Sequence, residues 1–307
     1  MNYTKFFLLI FLFLFLYNSN SLAQSTFDST TATHDETPWY FQKKTIATTG
    51  IAAHTVFTFL LEYSWWWKGN YHSFRYENDG FWNNYSLGVD KIGHFYTTYF
   101  YYNSLREILV WGGYSQSTAE WWSAGISLFY ALSIEIGDGY STYAFSLVDF
   151  TANTLGFTYG FLQNQVPFLQ NFKFKWSYYP SGHIPLDRYF RLTDDYDGHI
   201  YWMSIDVHNL LPESWKSYWP KFLNIAIGYS GENIYGRPSW AAGPAIGSTG
   251  IPVRKFAISL DYNLSSITTT SKTWTALKNI SDLFHYPAPG VRFVQSKPPA
   301  FKTFLLN

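Results

Sequence analysis

Between residues 44 and 163 the chain runs through four long, mostly apolar stretches, and each is punctured by Thr, Ser, Gly or an ionisable residue. The spacing predicts helices over about 44–67, 90–111, 117–137 and 146–163. Their ends are marked: Gly112-Gly113 closes the second, Ser117-Thr118-Ala119-Glu120 opens the third as a capping box, and Pro167 ends the fourth. None offers the roughly eighteen clean apolar positions of a spanning helix. Two arrangements remain, a bundle with polar core positions or helices half-immersed at a membrane surface. Aromatic residues make up 22% of the chain and charged ones only 14%, which leans toward the membrane surface. Trp65-Trp66-Trp67 reads as an interfacial belt or as packing at a helix end, and the Gly156 and Gly160 pair as close packing inside the bundle.

After Pro167 the pattern turns to short alternating runs, with strands expected over 200–207, 223–229, 256–264 and 291–294, a helix over about 272–284, and an irregular loop over 236–252. Four or five strands do not close a membrane barrel, which needs about eight. The expected fold is α+β, a bundle of about four helices (44–166) followed by a smaller β-rich C-terminal region (167–307). Ahead of these, Lys5, the apolar run from Phe6 to Tyr17 and Ser21-Leu22-Ala23 read as a signal peptide over 1–23, and 24–43 as a polar leader. The protein is therefore expected to be exported, to the periplasm or outer membrane of a Gram-negative-type envelope. Lys+Arg and Asp+Glu both total 21, so no basic excess invites a nucleic acid. The absence of cysteine removes disulfides, thiolate metal sites, cysteine nucleophiles and a lipidated N-terminal cysteine.

Chemistry concentrates in the helical half. Asp90 and His94 are four apart, Glu135 and Asp138 three apart, and Asp149 and Asn153 four apart, so each pair shares one helix face. Charges in apolar surroundings are paired or metal-bound, and these pairs are expected to converge. One reading is a site for a divalent metal such as Zn²⁺, Mg²⁺ or Mn²⁺, with His94, Asp90, Glu135, Asp138 and Asp149 as candidate ligands, although no compact ligand motif such as HExxH is present. A second makes His94 a general base oriented by Asp90 or Asp138, with Asn153 and Lys91 stabilising negative charge. A third is a mutually satisfied network that sets helix register. His54 reads as a satisfied core histidine or a further member of the cluster. Asp194-Asp195-Tyr196-Asp197-Gly198 suggests a calcium loop but lacks the glutamate and first aspartate, so a solvated turn is expected. No phosphate-binding loop and no nucleophile elbow occurs.

Asp90-Lys91-Ile92-Gly93-His94-Phe95, Arg106-Glu107, Gly113-Tyr114-Ser115, Glu135, Ser146-Leu147-Val148-Asp149-Phe150, Asn153 and Gly156 together resemble the YfiM-like family of uncharacterised predicted periplasmic proteins. More distantly the block is similar to VanZ-like membrane proteins. The resemblance covers about 89–160. It implies an envelope location and a compact helical domain, and singles out Asp90, His94, Glu135, Asp149 and Asn153; it implies no established reaction. Many members are predicted lipoproteins, so in this cysteine-free chain membrane attachment is left to aromatic surfaces or a partner. Two functions stand side by side. One is a non-enzymatic membrane-associated protein that binds lipid or a membrane-protein partner. The other is a metal-assisted or His-based hydrolase acting on a lipid or cell-wall amphiphile.

Overall fold

The structure, a computed structural model, describes residue 38 and residues 41–82, 84–182, 193, 195–234 and 251–305. The expected signal peptide, nearly all of the leader and residues 236–250 of the expected loop lie outside them. Residues Gln42–Asn307 form one compact unit.

Helix α1, Lys43–Glu62, runs on into a wider turn, Tyr63–Trp67. It is followed by α2 (Val89–Trp111), α3 (Gln116–Gly139) and α4 (Leu147–Gln165). Helix α3 starts earlier than the capping box implies. Ser115, in extended conformation, accepts the Thr118 N–H at 3.1 Å, which leaves Ser117 inside the first turn. Glu120 does not close a box but accepts from Gln165 Nε2 at 2.8 Å. Ser146 caps α4 by accepting the Asp149 N–H at 3.2 Å.

Helix α2 lies at the centre and packs on α1, α3, α4 and the sheet. Its crossing with α4 is set by glycine. A Cβ at Gly156 would collide with the Phe95 carbonyl oxygen and the Thr98 hydroxyl, and one at Gly160 with the Tyr102 ring. Thr98 Oγ1 then donates to the Asn153 carbonyl at 2.6 Å, a bond possible only at this close approach.

The C-terminal half is a six-stranded antiparallel meander: β3 (Phe172–Tyr178), β4 (His199–Ile205), β5 (Leu223–Glu232), β6 (Val253–Tyr262), β7 (Ala288–Val294) and β8 (Ala300–Leu305), preceded by a short parallel pair, β1 (Tyr76–Glu77) and β2 (Phe145–Ser146). Short helices α5 (Val207–Leu210) and α6 (Glu213–Lys216) lie between β4 and β5, and α7 (Lys272–Ser281) between β6 and β7. Strand β4 stops at Ile205 because the Asp206 side chain turns to cap α5. Strands β3 and β8 were not anticipated.

The meander carries its polarity reversed. Lys175, Ser204, Asn224, Ser230, Ser259 and Asp261 point to the buried face, alongside a small cluster of Ile200, Trp202, Ala226, Ala257 and Leu305. The opposite face is apolar. Over β3 and β4 it is covered by α2, with Phe95 on Phe174 at 4.7 Å and Tyr96 on Tyr201 at 5.7 Å. Over β5 to β8 it is exposed, where the register sets Ile227 beside Ile258, Ile258 beside Val291, and Val291 beside Phe301.

Candidate functional site

The start of α2, the end of α3 and the start of α4 meet where β1 pairs with β2. Strand pairing brings Glu77 opposite Ser146, and the Ser146 N–H donates to Glu135 Oε2 at 3.2 Å. This meeting gathers five of the expected residues, Asp90, His94, Glu135, Asp149 and Asn153, into one cluster.

Lys91 is its centre. The ammonium is 1% exposed and lies 2.6 Å from Asp79, 2.6 Å from Asp149 and 3.0 Å from Asp90. Asp149 Oδ1 meets it as an ion pair without hydrogen-bond alignment. His94 stands beside this knot, with Nε2 3.7 Å from Asp90 and 3.8 Å from Asp149, and Nδ1 3.3 Å from Asn153 Oδ1. Asn153 in turn donates to Glu135 Oε1 at 3.1 Å. From the sheet side the Tyr196 hydroxyl donates to Asp90 Oδ1 at 2.8 Å.

Burial and neighbours pull these groups in opposite directions. Burial raises Asp90, but Lys91 and His94 outweigh it and hold the carboxyl at about 2. Burial lowers His94, but Asp149, Asp90 and Glu135 outweigh it and lift the imidazole to about 9. Glu135 is pushed by burial to about 8 despite His94, and Asp138 to about 7 against the hydrogen bond from Trp67. Both shifts favour the protonated group, most firmly at the imidazole, which stands between the Asp90 and Asp149 carboxylates.

Asp138 lies to one side, taken up by the Trp67 indole N–H at 2.7 Å. That bond accounts for the tryptophan triplet: Trp67 is packing, while Trp65 faces outward. His54 is not part of the cluster; it is exposed, contacts Thr58 and lies 5.8 Å from the Tyr101 ring. The expected solvated turn at 194–198 is corrected, because its described aspartates are buried. Asp195 accepts from the Ser181 N–H at 2.9 Å, and Asp197 from the backbone N–H groups of Asn233 and Ile234, both at 2.8 Å. Asp79 and Tyr196 were missed, the one in a short loop and the other over a hundred positions from its partner, and no local pattern announces either.

One oxygen or nitrogen from each of Asp90, His94 and Asp149 lies within 4.8 Å of the others, a spacing that suits a divalent ion. The donor set fits one poorly, since the Lys91 ammonium already sits against two of these carboxylates, at 3.0 Å from Asp90 and 2.6 Å from Asp149. A second ionic cluster lies inside the sheet. Lys175 reaches Asp261 at 2.8 Å and Asp282 at 2.9 Å, all three side chains at most 1% exposed. Beside it His285 stacks on Trp202 with ring centroids 3.9 Å apart, and burial drives it down to about 4, so it is neutral.

Fold and cluster together define an α+β protein whose helical half is closed at one end by a buried ionic knot. Residues 78–165, which contain every member of the main cluster except Tyr196, match the model of a family described as predicted periplasmic lipoprotein (DUF2279). No curated protein and no solved structure matches the chain. An exported protein, periplasmic or associated with the outer membrane, agrees with that match. These 307 residues hold no cysteine to carry a lipid.

Proposed function

We propose that this exported protein is a non-enzymatic, membrane-associated envelope protein whose helices rest against lipid, with the ionic knot holding them in register. The observation that carries this reading is where α3 and α4 put their polar groups. The exposed stripe of α3 is Trp121, Gly125, Leu128 and Ile136, continued by Tyr140 just past its end, while Ser123, Ser127, Ser133 and Glu135 are buried together with Ala119, Ala131 and Ile134. On α4 Leu147, Thr151, Leu155 and Leu162 face outward, and Asn153, Gly156, Gly160 and Gln163 face in. A helix in water does the reverse. Small and polar residues inside with apolar ones outside is the packing of helices whose surroundings are hydrocarbon. Exposed Val56, Phe57 and Leu60 continue the surface onto α1, where Glu62 is buried. Among the described residues no helix is long and apolar enough to cross a membrane, so partial immersion in one leaflet suits them better than spanning. The YfiM-like resemblance, with its envelope location, supports the same reading.

The test is flotation of the purified protein with phospholipid vesicles. The native protein is expected to float, and a folded Leu128→Glu/Leu155→Glu variant to stay behind. A native protein that remains at the bottom of the gradient overturns the reading. A hydrolase keeps one observation in its favour, the 23% exposure of the His94 side chain at the edge of the knot. Stoichiometric metal in the native protein, lost in a folded His94→Ala/Asp149→Ala variant, would make it the better account.

A further inference from the structure

The two ends of the helical bundle differ in charge. The knot occupies one; at the other, the end of α2 meets the starts of α1, α3 and α7 and the end of α4. There the Trp111 indole N–H donates to Thr273 Oγ1 at 3.0 Å, Lys43 lies 5.9 Å over the Trp111 ring, and Lys44 lies 4.8 Å over the Tyr114 ring. The β4–β5 connection is at the same end, since Asn171, just beyond α4, takes the Asp206 N–H at 2.8 Å. Trp121, Trp215, Tyr218 and Trp274 project from this end and are 66%, 61%, 82% and 66% exposed.

Its acids are already engaged. Glu107 accepts from Arg106 and Asn279, Glu120 from Gln165, Glu213 from Lys216, Asp282 from Lys173 and Lys175, and Asp206 from the neutral Asn209 N–H and Asn263 amide. The exposed cations Lys43, Lys44, Lys221 and Lys272 have no carboxylate within ion-pair distance among the described residues. Exposed tryptophan and tyrosine interleaved with lysine is the side-chain chemistry of the headgroup layer: rings at the boundary, ammonium groups on phosphate.

We propose that this end is a docking surface for an anionic phospholipid bilayer, with Lys43, Lys44, Lys221 and Lys272 on the headgroup phosphates and Trp121, Trp215, Tyr218 and Trp274 at the acyl boundary. The proposal rests on the membrane reading above and adds the lipid charge and the end that meets it. An adjacent anionic surface attracts each lysine about five-fold, so four together contribute several hundred-fold at low salt.

Binding of the full chain is measured on vesicles of phosphatidylcholine alone and on vesicles also containing phosphatidylglycerol, for the native protein, for Lys43→Gln/Lys44→Gln/Lys221→Gln/Lys272→Gln, and for Lys68→Gln/Lys297→Gln, whose lysines lie away from this end. The expected result is tighter, salt-sensitive binding of the native protein to the anionic vesicles. The quadruple variant should lose that preference but keep its binding to phosphatidylcholine, and the double variant should behave as native. Equal native binding to both vesicles, or an equal loss in the double variant, overturns the docking end while leaving the membrane reading in place. Binding to neither vesicle, as for a protein docked on another protein, overturns both.

Discussion

Replacing Lys91 by Met tests whether the ionic knot is structural. The Lys91 side chain is 1% exposed and its ammonium meets three carboxylates at 2.6, 2.6 and 3.0 Å, so Lys91→Met leaves Asp79, Asp90 and Asp149 facing one another with only His94, 3.7 Å from Asp90 and 3.8 Å from Asp149, as counter-charge. Removing one partner of a buried ion pair costs about 3–5 kcal/mol, chiefly because the remaining charge is left unsolvated. Here Asp79, Asp149 and Asp90 keep 11–18% of their side-chain surface, which places the loss toward the lower figure. In a compact unit of this size about 3 kcal/mol corresponds to a Tm drop of roughly 6–12 °C. The assay is a thermal melt of native and variant protein at pH 7 and again near pH 4.5. Asp90 is held at about 2 by Lys91 and His94, so without the ammonium it regains its proton at higher pH. The gap should therefore narrow on acidification. A loss below about 1 kcal/mol at pH 7, or one that does not change with pH, would refute the reasoning. So would a native protein that takes up one equivalent of a divalent metal and melts higher, because the ammonium would then not be the resident cation.

Three further outcomes follow from the same geometry. His94 is raised from 6.5 to about 9, so its contribution is complete below pH 6.5 and is lost as pH rises through 9; Tm should fall across that window in the native protein and less in His94→Gln. Glu62 is raised by burial from 4.5 to about 7 while accepting from Tyr130 at 2.6 Å, so its ionisation costs native stability as pH rises from 4.5 through 7, and the melting temperature of Glu62→Gln relative to native should climb across that window and then level off, with an unchanged difference arguing that the carboxyl is solvated. At Gly156 a methyl group has only the backbone of Phe95 and the Thr98 hydroxyl to displace, so Gly156→Ala should cost about 1–3 kcal/mol in a denaturant melt. Gly125→Ala, with open space around it on α3, should be neutral or stabilise by up to about 1 kcal/mol.

Much of the helical half was determined by local sequence. Hydrophobic spacing and the breaks at Gly112 and Pro167 locate all four long helices to within a few residues, since both act through contacts inside one segment. The pairs Asp90 with His94 and Asp149 with Asn153 were legible for the same reason, because 3.6 residues per turn sets which side chains share a face. Those periodicities say nothing about which face turns inward. In α3 and α4 Ser123, Ser127, Ser133, Glu135 and Asn153 went inside, and in the sheet Lys175 and Asp261 did, leaving Leu128, Leu155, Ile258 and Phe301 outside. Tertiary structure made that choice, because a buried charge is tolerated only where partners from other segments reach it. For Lys91 those partners are Asp79 and Asp149, 12 and 58 positions away, and for Asp90 they include Tyr196, 106 positions away. Local sequence therefore settled the helices and their spacing, while the inward face, and with it the apolar residues left on the outer surface, was decided by long-range contacts.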